Sequence, residues 1–328
     1  MEKQHHNSST TRREFFIRCS KAGLSAAAVC ASGYLFYDSS GPKQSEAETG
    51  LVSLSDYAVP DKKGVMAVVK GEDRKKTLHL ALKALGGIEA FVEKGDNVLL
   101  KVNAAFATPP ALSATTNPVL VSELTRLCFK AGAKHVVVTD NPINDPPSCF
   151  ALSGIEQAAR REGAVIMLPE RAFFHPTTLK DALLIREWPI LFEPFKDIDK
   201  VIGIAPLKDH HRSGASMTMK NWYGILGGRR NVFHQDIHNI IKELAMMVRP
   251  SLVILDGTVS MMTNGPTGGS LSDLKPTNTM IVSTDQVAAD AYGATLLGKT
   301  KNSLPFISKA EAKGLGTADY QSLNPIIL

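Results

Sequence analysis

The segment 217–234 concentrates side chains that can do chemistry. It reads MTMKNWYGILGGRRNVFH, so its cations lie among aromatic and aliphatic residues and not along a polar surface. A lysine in apolar surroundings either titrates at a lowered pH or holds an anion. We therefore predict Lys220 as a catalytic residue, and Asn221 and Arg229 as ligands of a carboxylate or phosphate group. The plainer interpretation is a buried structural lysine paired with an aspartate.

Two histidines accompany this segment. His210 precedes it, and His234 is its last residue. A histidine near its ordinary pKa can move a proton at neutral pH, so both are predicted as catalytic residues. The alternative is a divalent metal held by His210, His234 and Asp256. No diagnostic metal-binding spacing surrounds them, so proton transfer is favoured.

Further candidates for anion binding lie elsewhere in the chain. Lys101 and Asn103 end an apolar run, and Gly265 lies in the glycine-rich stretch 264–269. Backbone N–H groups of such loops can cradle an anion. The glycines before Arg229 have neither the spacing of a P-loop nor that of a dinucleotide fingerprint, so a plain turn is an equal alternative there.

The elements that must position these residues are strands alternating with helices. The strands are continuous apolar runs, which is typical of a parallel sheet that is covered on both faces. We predict an α/β fold: one large domain with a mostly parallel sheet and helices on both faces. The expected strands are 65–69, 98–102, 135–139, 164–168, 201–205, 251–255 and 280–283, and the expected helices are 74–92, 118–130, 153–161, 236–247 and 286–297. Ligands of such sheets bind beyond the carboxyl ends of the strands, where the candidate residues fall.

The N-terminal region indicates export. Thr11–Ile17 reads TRREFFI and precedes a moderately apolar run, 22–37, which together resemble a twin-arginine export signal. The run is short for a membrane-spanning helix, so cleavage and retention as an anchor both stay open. We expect an exported protein, periplasmic or membrane-anchored facing the periplasm, that uses the twin-arginine export machinery. The predicted organisation is a signal or anchor at 1–37, a linker at 38–60, the α/β domain at 61–300 and a C-terminal tail at 301–328.

Composition and charge argue against some classes of partner and cofactor. The net charge is +5, and part of it lies near the N-terminus. No basic stripe with interleaved aromatic residues occurs, which argues against nucleic acid as a partner. The four cysteines show no C-x-x-C spacing, so an iron–sulfur or zinc site built from cysteines is not expected. Cys128 fits an apolar helix, and a Cys128–Cys149 disulfide after export remains an alternative.

Taken together, these residues resemble a known family, catalogued as domain of unknown function 362. The similar pieces are Leu100–Asn103, Thr116–Pro118, Val138–Asp140, Lys208 with His210, Lys220 and Asn221 with Gly224, His234, Ile254–Gly257, the NGPTxG stretch at 264–269, and Asp285 with Asp290. The resemblance implies a shared site and brings no established reaction with it. Family members sometimes carry ferredoxin-type cysteine clusters, which this chain lacks. A fainter likeness, at the level of fold, runs to the nickel-pincer lactate racemases.

Two hypotheses about function follow. The first is an exported enzyme that acts on a small anionic substrate or cofactor. Lys101, Lys220 and Arg229 would hold its negative charge, His210 or His234 would move a proton, and Asp256 would orient them or bind a metal. The second is a non-catalytic periplasmic binding or assembly factor for a redox or respiratory partner protein.

Overall fold

The computed structural model describes residues 11–35 and 50–328, with side chains described for 11–25 and 50–328. These residues fall into two units, one within 1–48 and the other within 49–328. The first unit contains helix α1 (Arg12–Leu35), which includes the twin-arginine-like stretch. Among the described helices, none has the length and apolar character needed to cross a membrane. Positions 1–10 and 36–49, including part of the predicted linker, lie outside the described residues.

The second unit is built on a nine-stranded sheet and a separate hairpin. Its strands are β1 (Met66–Lys70), β2 (Asn97–Lys101), β3 (His135–Thr139), β4 (Val165–Met167), β5 (Phe174–Thr177), β6 (Trp188–Leu191), β7 (Lys200–His210), β8 (Gly214–Ser216), β9 (Leu252–Met261), β10 (Leu274–Ser283) and β11 (Ile326–Ile327). Its helices are α2 (Arg74–Ala84), α3 (Pro118–Lys130), α4 (Pro146–Leu152), α5 (Ile155–Arg161), α6 (Thr218–Asn221), α7 (Ile237–Met247), α8 (Gln286–Leu296) and α9 (Pro305–Ala312).

The sheet is mostly parallel, as the sequence predicts. Its order is β11-β1-β10-β9-β7-β2-β3-β4, and β8 pairs with the end of β7. From β9 to β4 every neighbouring pair is parallel. Strand β10 runs antiparallel to both of its neighbours, and β5 and β6 form the hairpin. The carboxyl ends of β2, β3, β7 and β9 therefore meet at one edge of the sheet.

Alternating side chains of the central strands feed two hydrophobic cores, one on each face. In β2, Val98 and Leu100 join the core formed with α2, α3, α4 and α5, whereas Leu99 joins the opposite core formed with α6, α7, α8 and α9. In β9, Ile254 and Leu255 divide in the same way. Because successive strand residues point to opposite faces, a strand that is apolar throughout must be covered on both sides. The predicted fold class is confirmed.

Two central strands, β7 and β9, are longer than the apolar runs from which they were predicted. Strand β7 continues from the predicted 201–205 to His210, and β9 continues from 251–255 to Met261. These extensions pair with each other, with Lys208 opposite Met261, while β8 pairs with the other side of β7. Lys208 and His210 therefore stand on a strand and not in a loop.

The predicted helix starts are partly correct. The side chain of Asn117 accepts a hydrogen bond from Val119 N and caps α3, and Asp285 accepts from Val287 N and Ala288 N at the start of α8. Asp236 occupies the N-cap position of α7, but its side chain makes no capping bond there.

Two helix bounds differ from the predicted ones. The helix predicted at 74–92 ends at Ala84, because Gly86 and Gly87 follow with positive φ angles. The helix predicted at 153–161 is preceded by the separate helix α4, and Gly154 in the left-handed region divides α4 from α5.

Candidate functional site

A cavity of about 240 Å³ opens where β2, β3 and β7 end. The loops after these strands, α6 and the segment 222–234 form its walls. The lining residues are Asn103, Ala105, Phe106, Asp140, Asn141, Ile143, Lys208, His210, His211, Ser216, Lys220, Asn221, Tyr223, Gly224, Arg230, His234, Pro266 and Thr267. The structure thus joins strand ends that are far apart in the sequence, as the parallel topology requires.

A buried ion pair lies behind this cavity. Lys101 is fully buried, and its Nζ lies 2.7 Å from Asp140 Oδ1. The same ammonium donates to Val102 O at 2.7 Å and to Asn221 O at 2.9 Å. Burial lowers the pKa of Lys101, and the carboxylate of Asp140 opposes that effect. Lys101 was predicted to bind an anion directly, but here its charge is already matched by a protein carboxylate.

Close approach of the backbone at Gly224 belongs to the same arrangement. A Cβ atom at this position would lie 1.9 Å from Asp140 Oδ1 and 2.9 Å from Lys101 Nζ. Neither contact is sterically allowed, so the chain requires glycine here for a reason of space. The glycines before Arg229 were considered as a backbone nest for an anion. At Gly224, close packing against Asp140 and Lys101 accounts for the glycine without an anion.

Lys220 lies in the cavity wall without a counterion among the described residues. It is 9% exposed and lines the cavity, and its Nζ makes no hydrogen bond or ion pair with any residue of 11–25 or 50–328. The ammonium lies 4.9 Å from the centroid of the Tyr223 ring. Burial, followed by the positive charge of Arg230, lowers the pKa of Lys220 to about 7. A buried cation without a counterion costs free energy, and an anion in the cavity would remove that cost.

Lys208 is a second buried cation in the cavity wall. It is 1% exposed, and its Nζ donates to Ala114 O at 2.5 Å and contacts Asn103 Oδ1 at 3.5 Å. Burial and the charge of Lys220 lower the pKa of Lys208 to about 7, while Asp140 acts in the opposite direction. One of its three N–H donors is left for a ligand.

The arginine of the site is Arg230 and not Arg229. Arg229, which the sequence predicted as an anion ligand, is exposed and does not line the cavity, whereas its neighbour Arg230 does. The guanidinium of Arg230 is largely buried and donates to four backbone carbonyls: Tyr223 O, Leu226 O, Asn141 O and Pro142 O. Arg230 therefore ties the segment after α6 to the loop after β3. Its charge reaches the cavity, but most of its donors are occupied.

The two predicted asparagines lie together at the base of the cavity. Asn103 Nδ2 donates to Asn221 Oδ1 at 3.1 Å, and Asn221 Nδ2 contacts Lys101 O and Ile204 O at 3.3 Å each. The side chains thus hold α6 against the end of β2 and the middle of β7. These contacts within the protein make them positioning groups for Lys220 and Lys208.

His210 presents a fixed tautomer. Its Nδ1 accepts from Arg212 N at 3.1 Å and from Ser213 N at 3.2 Å, so the neutral ring carries its proton on Nε2. Burial, followed by the charge of Lys220, lowers the pKa of His210 to about 2. The ring is therefore neutral at all physiological pH values, and Nε2–H is a hydrogen-bond donor to whatever occupies the cavity.

His234 presents the opposite tautomer. Its Nδ1 lies 3.2 Å from Asn231 O and 3.2 Å from Tyr223 Oη, and the Tyr223 hydroxyl donates to Arg230 O. An Nδ1 that faces two oxygens of this kind carries the proton, which leaves Nε2 with a lone pair. Burial and the charge of Lys220 lower the pKa of His234. Its ring stacks on that of His210, with centroids 6.0 Å apart.

The predicted metal site is not assembled. Asp256 does not line the cavity, because its Oδ2 is held by Arg74 Nε at 2.7 Å and its Oδ1 accepts from Thr258 N. Within the part of the chain that the structure describes, no three His, Cys, Asp or Glu side chains lie close enough together to hold a metal ion. His210 and His234 are brought together, but Asp256 is not brought to them.

Gly265 lies at the rim and not in the wall. Its carbonyl accepts from His211 N at 3.1 Å and lies 3.2 Å from His211 Nδ1, while the next residues, Pro266 and Thr267, line the cavity. A Cβ atom at Gly265 would lie 1.9 Å from Asp209 O. The glycine thus allows two loops to touch, and nothing in its contacts assigns it an anion.

Sequence reasoning did not select several residues of the site. Asp140, Lys208 and His211 were not chosen as site residues, and Tyr223 and Arg230 lay within the selected segment without an assigned role. For Asp140 a usable signal exists, since it directly follows the buried strand β3. The sequence gives no local sign that the donors of Arg230 are occupied, because they depend on backbone carbonyls of a distant loop.

Asp290 supports the site from behind. This fully buried carboxylate accepts from Thr218 N at 2.8 Å, Thr218 Oγ1 at 2.5 Å and Met219 N at 3.1 Å. It therefore caps the short helix α6, which carries Lys220. Burial raises the pKa of Asp290 to about 7, against the hydrogen bonds from Thr218 and Met219.

Comparison with known proteins decides the family. The model of the family described as "Domain of unknown function (DUF362)" matches residues 98–295 of the chain. The chain belongs to the DUF362 family. Every residue that lines the cavity falls within the DUF362 match, whereas β1, α9 and β11 lie outside it. The family portion thus contains the complete site.

Relatives of this DUF362 protein include a thylakoid-associated protein of Synechocystis sp. The two are 25% identical over 272 residues, which cover 76% of this chain and 78% of the relative. Among solved structures, the lactate racemase apoprotein of Thermoanaerobacterium thermosaccharolyticum matches with a TM-score of 0.40 and 14% identity over 74% of this chain. A protein of Thermotoga maritima matches with a TM-score of 0.38 and 12% identity over 75% of this chain. The chain spans 58% and 60% of the length of those two structures.

Proposed function

We propose that the cavity binds a small anionic ligand and that the protein is an enzyme that moves a proton on that ligand. The observation that carries the proposal is Lys220, a buried ammonium that faces the cavity without a counterion among the described residues. An anion beside it would raise the lowered pKa of Lys220 and offset the free-energy cost of burying the charge.

The charge balance around the cavity supports an anion. Four cations, Lys101, Lys208, Lys220 and Arg230, are buried or largely buried there, and Asp140 is the carboxylate that faces them. Asp140 is already paired with Lys101. The remaining cations therefore lack negative charge, in a site where a low dielectric makes each charge count more than in water.

The two histidines support proton transfer. His210 offers an N–H donor and His234 a lone pair, from stacked rings in one wall. A ligand against this wall would meet both a fixed hydrogen-bond donor and a base, which is the pairing that acid–base chemistry requires. Within this proposal His234 is the catalytic base, His210 polarises the group that gains charge, and Lys220 neutralises the anion.

Location forms a separate part of the proposal. The stretch Thr11–Ile17 and the apolar run that follows it support export to the periplasm by the twin-arginine machinery, with removal of the signal or its retention as an anchor. A fusion of residues 1–60 to a reporter that is active only after export tests this. A matched fusion with Arg12→Lys and Arg13→Lys should lose export, and a signal that is insensitive to the pair would contradict the assignment.

The second candidate is a non-catalytic binding or assembly factor for a redox or respiratory partner protein. It is favoured by the relative that is described as thylakoid-associated, since that description places the relative at a membrane. In this alternative the cavity would hold its anion without converting it. The two candidates therefore share the ligand site and differ in turnover.

Thermal shift experiments on the full chain test the ligand site. Sodium acetate, butyrate, phosphate and sulfate would be compared with sodium chloride at equal ionic strength. At least one anion should raise the Tm of the wild type and of Arg229→Met, in which an exposed neighbouring cation is removed, and should leave Lys220→Met unchanged. An equal response of wild type and Lys220→Met would overturn the proposal.

Turnover is tested by incubating the protein with each bound anion in D₂O and following C–H signals by NMR. The enzyme hypothesis predicts deuterium incorporation that His234→Gln abolishes. Binding without any exchange would favour the assembly-factor alternative.

A further inference from the structure

The donors that face the cavity restrict the kind of anion that it can take. Arg230 has five N–H donors, and its two terminal nitrogens already donate to four backbone carbonyls. It is therefore not free to form the two parallel hydrogen bonds by which arginine grips phosphate or carboxylate groups. The free charged donors of the wall are the three N–H groups of Lys220, one of Lys208 and the single Nε–H group of Arg230.

The usual backbone devices for phosphate are also occupied. Phosphate sites commonly use a helix N-terminus or successive backbone N–H groups. The N-terminus beside the cavity belongs to α6, where Thr218 N and Met219 N already donate to the carboxylate of Asp290. The side-chain amides of Asn103 and Asn141 each use one N–H group on Asn221 Oδ1 and Leu226 O and keep the other. A phosphate group would therefore meet no free helix N-terminus here and would depend on scattered side-chain donors.

Part of the cavity lining is apolar. Ala105, Phe106, Ile143 and Pro266 contribute to it together with the ring of Tyr223. Phe106 is 7% exposed, and Lys208 Nζ lies 5.3 Å from the centroid of its ring. Apolar surface beside the buried ammonium groups favours a ligand whose charged group is joined directly to a hydrocarbon body. A volume of about 240 Å³ accommodates a body of a few carbon atoms or one small ring.

We propose that the ligand is a small monocarboxylate with an apolar body. Its carboxylate oxygens receive N–H groups from Lys220 and Lys208, and its hydrocarbon part packs on Phe106 and Ile143. The carbon next to the carboxylate then lies towards His210 and His234, whose lowered pKa values reflect the nearness of Lys220 after burial. This inference rests on the proposed function and narrows its substrate class.

Isothermal titration calorimetry on the full chain, near pH 6, tests the class with matched probes. Butyrate and propylphosphonate share the same three-carbon body and differ in the charged group. Acetate keeps the carboxylate and loses the body, and butanol keeps the body and loses the charge. Butyrate should bind about tenfold more tightly than each of the others, because it alone has both a carboxylate for the lysines and a hydrocarbon body for the apolar lining.

Controls separate this inference from the proposed function. Lys220→Met should weaken butyrate binding at least tenfold, and Phe106→Ala should weaken butyrate while leaving the weak acetate affinity unchanged. Tighter binding of propylphosphonate or inorganic phosphate that depends on Lys220 would overturn the carboxylate class and leave the anion site standing. If no probe binds in a way that depends on Lys220, both proposals fall.

Discussion

Lys101 Nζ and Asp140 Oδ1 meet at 2.7 Å in a buried ion pair, and the chain at Gly224 passes so close that no side chain fits there. The pair joins the ends of β2 and β3, and Lys101 also donates to the backbone of α6 through Asn221 O. One interaction therefore fixes the positions of two strand ends and of the helix that bears Lys220. Loss of either charge should therefore disturb the positions of both strand ends and of that helix.

Asp140→Asn should lower the free energy of unfolding by about 3–5 kcal/mol, because it leaves Lys101 as a buried charge without its partner. Urea denaturation of the full chain measures this. The double variant Lys101→Met with Asp140→Asn should recover part of the loss. Glu156→Gln, which breaks an exposed ion pair with Arg160, is the matched control and should cost at most about 0.5 kcal/mol. An equal effect of both single changes would contradict the account.

Gly224→Ala should destabilise the protein by about 1–3 kcal/mol, because the new methyl group overlaps Asp140 Oδ1 and forces the ion pair apart. Thermal unfolding measures the change. Gly50→Ala is the control, since a Cβ at Gly50 meets no atom within 4 Å, and its effect should stay within about 0.5 kcal/mol. A harmless Gly224→Ala would mean that the backbone can move away from the pair.

The fold followed from the sequence because it depends on local patterns. Apolar runs such as 135–139 read directly as strands, and Asn117 with Pro118 marks a helix start. The bounds of β7 and β9 did not follow, because their extensions are polar or mixed and are held by pairing with distant strands. The pairing of β11 with β1 could not be predicted either, because a strand of two residues is too short to show a hydrophobic pattern.

The sequence predicted part of the cavity lining and less of its internal contacts. His210, Lys220 and His234 all line the cavity, because the end of β7 and the segment that follows it lie at the same edge of the sheet. Arg229 and Arg230 are indistinguishable as sequence, and only the carbonyls after β3 decide which of them turns inward. Asp256 was expected at the same edge, but its partner Arg74 comes from α2 and holds it away from the cavity.

Affinity for an anion and stability without a ligand should change in opposite directions with pH. Lys220 and Lys208 have folded pKa values of about 7, against the ordinary value of 10.5. Between these values the unfolded chain binds more protons, so the free energy of unfolding rises with pH, by up to about 1.4 kcal/mol per pH unit for each lysine. An anion needs the charged form, so its affinity should fall as pH rises above about 7.

Calorimetry and urea denaturation across this range measure both trends, and Lys220→Met should show a weaker dependence in each. Parallel trends in the wild type would contradict the lowered pKa values.

The tautomers of the two histidines can be observed directly. ¹⁵N NMR of histidine-labelled protein should show His210 with an unprotonated Nδ1 and a protonated Nε2, and His234 with the reverse. Because burial lowers the pKa of His210 to about 2, its signals should not titrate between about pH 5 and 8. A cationic His210 at neutral pH would exclude it as the neutral donor.

Asp290→Asn should weaken anion binding through the position of Lys220. The carboxylate accepts three hydrogen bonds at the start of α6, and an amide has one acceptor oxygen in place of two, so at least one buried N–H or O–H loses its partner at a cost of about 1–3 kcal/mol. The loosened helix no longer holds Lys220 in the wall, and butyrate affinity should fall several-fold at temperatures well below the Tm. Asp236→Asn is the matched control, because that side chain makes no capping bond to α7, and it should leave both quantities unchanged. If Asp290→Asn lowers the Tm but not the affinity, the residue supports the fold without positioning the lysine.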